Sequence, residues 1–105
     1  MALARVVEFE GVDSDRIQQL KQQIETGERP EGLPATEFVV LYDADARKSI
    51  AIVFFDNEED YRQGDATLSA MPADETPGRR SAVSKYDVAI RVSAWSERTK
   101  QGRRR

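Results

Sequence analysis

The feature that most constrains this chain is a pair of short apolar runs with almost nothing between them. Phe38-Val-Val-Leu-Tyr42 and Ser49-Ile-Ala-Ile-Val-Phe-Phe55 are separated by a polar stretch at 44–48, Ala-Asp-Ala-Arg-Lys. Both runs are rich in β-branched and aromatic residues and too short for helices, so they predict strands over 36–43 and 49–55. A connection this short makes them an antiparallel hairpin, because a parallel pair needs a crossover of about a dozen residues or more. Each run is apolar on both side-chain parities, and a strand of that kind is covered on both faces of its sheet. Both strands of the hairpin therefore need cover on both faces.

The flanking segments read as follows. Residues 3–10 (Leu-Ala-Arg-Val-Val-Glu-Phe-Glu) predict a strand with Arg5, Val7 and Phe9 on one face and Ala4, Val6 and Glu8 on the other. Gly11 and Asp13-Ser14 break it, and Asp13 or Ser14 can cap the helix that follows. Ile17, Leu20 and Ile24 recur at helical spacing and predict a helix over 15–26, stopped at Gly27 and followed by a loop from Glu28 to Pro34. Asp56 with Glu59 three residues on has the capping-box arrangement and opens a second helix with the stripe Tyr61, Leu68 and Met71. Gly64 either lets that helix pack closely or ends one segment of it, and Pro72 terminates it. After a loop at 73–80, residues 82–95 predict a long final strand. Tyr86, Val88, Ile90 and Val92 share one of its faces, Lys85, Asp87, Ala89, Arg91 and Ser93 share the other, and Trp95 stands at its end. The class is α+β and the order is ferredoxin-like βαββαβ, with a four-stranded antiparallel sheet and two helices on one face.

A length of 105 residues suits one domain. Residues 1–96 are expected to form it, with 11 basic and 18 acidic residues, while the tail at 97–105 has five basic and one acidic and is expected to be flexible. An acidic body argues against a broad nucleic-acid face, so nucleic acid is not an expected partner; that idea would rest on the tail alone. The chain has no Cys and no His. Disulfides, zinc–thiolate sites and Ser-His-Asp chemistry are excluded within it, and so is a haem held by its own axial His. The acidic run Asp56, Glu58, Glu59 and Asp60 is better explained by the positive end of a helix than by a metal, so no metal is expected, and no cofactor. No apolar stretch approaches the ~20 residues of a membrane span, and the start of the chain has no basic segment leading into a long apolar run. The expected location is cytoplasmic, without membrane contact.

On the hairpin, the third strand running straight into a capped helix (Phe55-Asp-Asn-Glu-Glu-Asp-Tyr-Arg62) and the valine-rich last strand, the chain resembles the dimeric α/β-barrel superfamily, which includes antibiotic-biosynthesis-monooxygenase-like domains. The likeness covers roughly residues 3–95 and lies in the pattern of elements. It implies a homodimer in which two sheets pack face to face. The hairpin supports this on its own account: two helices cover one face of the sheet, and a second subunit is the economical cover for the other. The superfamily's haem-degrading pattern of Asn, Trp and His is not matched, since Asn57 and Trp95 are the sole residues of their types and His is absent. No catalytic residue is therefore carried over.

The residues able to carry chemistry are few. Trp95 can wall a pocket and stack a planar substrate, or be an interface residue. Tyr61 and Tyr86 can donate hydrogen bonds to a phenol or quinone oxygen, as can Tyr42, or pack at half-buried positions. Arg5 and Arg91 stand mid-strand and need partners, for which Glu8, Glu37 and Asp87 are candidates; they form an anion clamp or interface salt bridges. The first functional reading is a small dimeric α/β-barrel protein that binds a small apolar or aromatic ligand or serves as an accessory subunit. The alternative is a cofactor-independent monooxygenase-like enzyme acting on a polyphenol or quinol, with Trp95, Tyr61, Tyr86 and Arg91 as its ligand-binding residues.

Overall fold

A computed structural model describes residues 2–27, 32–72 and 76–92. The elements are β1 (Leu3–Glu10), α1 (Ser14–Glu25), β2 (Glu37–Asp43), β3 (Lys48–Phe55), α2 (Glu58–Ser69) and β4 (Arg79–Asp87). The four strands form one antiparallel sheet in the order β2-β3-β1-β4. This is the ferredoxin-like arrangement that the hairpin and its flanks predict, and it places the two most apolar strands at and next to one edge.

Side-chain alternation divides the sheet cleanly. Leu3, Arg5, Val7 and Phe9 of β1 and Ser49, Ala51, Val53 and Phe55 of β3 are all buried on the helix side. Two apolar clusters fill this layer. Leu3, Val53, Phe55 and Tyr61 pack with Leu33, Ala35 and Leu68, while Val7, Phe9, Val12 and Ala51 pack with Ile17, Val40 and Tyr42. The Tyr42 hydroxyl donates to the Val12 carbonyl at 3.0 Å and so ties the β1–α1 connection to the edge strand. The hairpin turn is closed by Arg47 in a left-handed conformation (φ 53°). Its guanidinium donates to the Asp13 carboxylate at 2.7 Å. Asp13 occupies the N-cap position of α1 but makes no side-chain cap bond; its carboxylate is turned to Arg47 instead.

Two expectations need correction. The cap of α2 is Asn57, whose side-chain carbonyl accepts from the Asp60 amide at 2.8 Å; the helix begins one residue later than an Asp56 cap would set it. The last strand spans Arg79–Asp87 rather than 82–95. It stops where its partner runs out, since Asp87 stands opposite Leu3, the first residue of β1. Residues 88–92 continue as an irregular arm, and the part of the predicted strand at 93–95, including Trp95, lies outside the described residues, as does the basic tail at 97–105. Among the described residues no helix is long and apolar enough to cross a membrane.

Candidate functional site

Polar chemistry concentrates on the helix side, along the seam between α2 and strands β1 and β4. β1 carries Arg5 into this layer, where it is 3% exposed. Its Nε donates to Asp65 at 2.8 Å and one terminal nitrogen donates to Ser69 at 3.2 Å. Asp65 and Ser69 are one helical turn apart, so both reach the same strand position. One turn earlier on α2, Tyr61 is buried edge-on against Phe55, with ring centroids 5.5 Å apart. The Lys85 ammonium lies 5.0 Å from the Tyr61 ring centroid and donates to both Glu58 carboxylate oxygens at 2.8 Å. At the far end, Arg80 donates to the Leu68 carbonyl at 3.3 Å, and its Nε is buried without a partner among the described residues.

The electrostatics follow from these contacts. Burial pushes the Tyr61 phenol above its ordinary range, and the Asp65 charge adds to the effect. Tyr61 is thus a protonated donor at neutral pH. The Lys85 hydrogen bond holds the Glu58 carboxyl below its ordinary value. Positive and negative groups here satisfy each other, so the seam fastens α2 to the sheet. Among the described residues no three acidic side chains converge as a metal site would require.

The opposite face of the sheet carries no helix among the described residues. Register places four rows across it: Glu37, Phe54, Ala4 and Tyr86; Val39, Ile52, Val6 and Ser84; Leu41, Ile50, Glu8 and Ala82; Asp43, Lys48, Glu10 and Arg79. The middle of this face is aliphatic, and Leu41 and Tyr86 are 51% and 57% exposed. Its ends are charged and paired. Arg79 meets Glu10 at 2.7 Å. At the other end Arg91 reaches Glu37 at 2.6 Å and lies over the Phe54 ring, 4.2 Å from its centroid.

The structure does not gather Tyr61, Tyr86 and Arg91, the candidates among the described residues, into one site. Tyr61 lies on the helix side, whereas Tyr86 and Arg91 lie on the helix-free face. The period-two reading separates Tyr86 from Arg91, yet they share a face, because β4 ends between them and the arm turns across the sheet. Glu37 is the partner of Arg91, as its charge allows. Arg5 is paired with Asp65, a contact 60 residues away in sequence and with no signal in local spacing. No protein-family model, no curated protein and no solved structure matches this chain.

Proposed function

We propose that the chain works as a homodimer of ferredoxin-like units whose helix-free faces pack together, in the manner of the dimeric α/β-barrel superfamily. In this reading the closed assembly holds a small apolar or aromatic ligand. One observation carries the proposal: the face formed by Val39, Leu41, Ile50, Ile52 and Val6 is contiguous and apolar and has no helix over it among the described residues, with Phe54 beside it under Arg91. Monomeric proteins seldom display such a surface, whereas interfaces and ligand sites do. Tyr86 supplies an aromatic edge with a hydroxyl, the kind of group that meets a phenol or quinone at a half-apolar site. The monooxygenase reading gains no support from the geometry, because its donors are split between the two sides of the sheet.

Light scattering after size exclusion tests the assembly. At micromolar concentration the mass should be twice the 11.9 kDa of the chain, and Ile52→Lys should return it to one chain mass while far-ultraviolet dichroism is unchanged. A monomeric native chain would end the proposal. The ligand is tested by thermal shift against planar phenols and quinones, where a ligand at 100 times its Kd adds ~2.7 kcal/mol.

A further inference from the structure

The two edges of the sheet are not alike. β4 is protected in the ways edge strands usually are. It carries Arg79, Arg80 and Lys85, and its register with β1 shifts between Glu8 and Phe9. β2, the other edge, has the sequence Glu37-Phe-Val-Val-Leu-Tyr-Asp43. It has no Lys, Arg or Pro, its pairing with β3 is regular, and Phe38 and Leu41 are 41% and 51% exposed. An apolar, regular edge whose outward backbone groups have no partner among the described residues is a template for one more strand.

The chain itself is led to that edge. Beyond Asp87 the Val88 amide donates to the Ala2 carbonyl at 2.9 Å, and three residues later Arg91 is held over Phe54 of β3 and on Glu37 at the start of β2. This path starts at the β4 edge, and the Arg91 side chain reaches over β3 to the start of β2. Residues 93–105 follow from that point. The ~23 Å length of β2 needs only about seven of these thirteen residues, which leaves about six to reach its outer edge. Charge favours this occupant. Glu37 is taken by Arg91, but the other end of the β2 edge is acidic at Asp43, with Asp45 just beyond, and the segment carries Arg98, Lys100, Arg103, Arg104 and Arg105 against the single acid Glu97. A second copy of β2 paired antiparallel would instead set Glu37 opposite Asp43, like against like.

We propose that residues 93–105 of the same chain add to the outer edge of β2 as a fifth strand parallel to it, fastened by their basic side chains to the acidic Asp43 end of that edge. Edge and face are different surfaces, so the inference stands whether or not the face binds a second copy.

The test is amide exchange and proton–proton contacts in the isotope-labelled full-length chain. Contacts are expected between amides of 94–100 and those of β2, with protection of the β2 amides that do not point to β3. Arg103→Glu, Arg104→Glu and Arg105→Glu together, or high salt, should cost those amides several-fold in protection and leave β1 and β3 unmoved. Ile52→Lys should leave the contacts intact, which separates this pairing from the facing dimer. If the outward amides of β2 exchange as fast in the full-length chain as those of β4, the proposal is wrong. Contacts that appear only between differently labelled chains would also overturn it, assigning the edge to a second copy.

Discussion

At the scale of single residues, Arg5 shows how a charge is kept inside a small domain. Its guanidinium is nearly fully buried, while its partner Asp65 remains 43% exposed. The two residues are therefore not equivalent. Asp65→Ala strands a cation in the core and should cost toward the low end of ~3–5 kcal/mol. Arg5→Met removes the charge with its desolvation penalty, leaves Asp65 free to meet water, and should cost less; urea denaturation of the two variants reads the order directly. Tyr61, one turn away, gives a pH signature. Its folded pKa is raised above the ordinary 10.0, so the stabilisation it provides is fully present below that value and is lost as pH rises through the higher folded value. The native chain should therefore lose stability faster than Tyr61→Phe in strongly alkaline solution. A parallel fall of the two denaturation midpoints would show that ionisation of Tyr61 does not matter to the fold.

At the scale of elements, α2 is the helix that the sheet grips, and Gly64 is the reason it can lie close. A Cβ at this position would overlap the ring of Phe55, which is fully buried and held against Tyr61. Alanine gains about 1 kcal/mol in helix propensity, but overpacking a filled core costs about 1–3 kcal/mol. The second effect wins because Phe55 has nowhere to go. Gly64→Ala is expected to lower Tm by several degrees, roughly 4–8 °C for each kcal/mol in a domain this size. Much of this level was legible in the chain. The hairpin, both helices and their stops follow from period, caps and breakers, and of the two roles open to Gly64, close packing is the one the structure selects. Other features were not legible. Nothing local distinguishes Asn57 from Asp56 as the cap, since either side chain can accept from the first turn. The length of β4 is set by where β1 begins, a tertiary fact that valine-rich alternation through 88–92 conceals. The covered seam depends on Asp65 and Ser69 meeting Arg5 across the layer, and period alone names neither.

At the scale of the whole molecule, the sheet has one face closed by helices and one that is not. The decisive residue on the open face is Glu8. It stands in register between Ile50 and Ala82, beside the aliphatic centre of the face, and makes no ion pair among the described residues. Glu10, two residues on, is paired with Arg79. If water covers this face, Glu8 is a solubilising charge. If a second sheet covers it, a carboxylate is carried into an apolar layer and pairs at best with Lys48 or Arg79 of that sheet, so it weakens the assembly. The two cases respond oppositely to Glu8→Leu. Under the dimer proposal the substitution removes a desolvation penalty, adds apolar area and raises Tm at every protein concentration, while Tm of both chains climbs with concentration by mass action. With the face in water, Glu8→Leu instead leaves a monomer whose Tm is independent of concentration and whose solubility is lower. Scanning calorimetry over a hundredfold range of concentration, on the native chain and on Glu8→Leu, separates the outcomes: parallel concentration dependence with a higher Tm in the variant is what face-to-face assembly requires, and two flat lines would leave the open face to some other occupant.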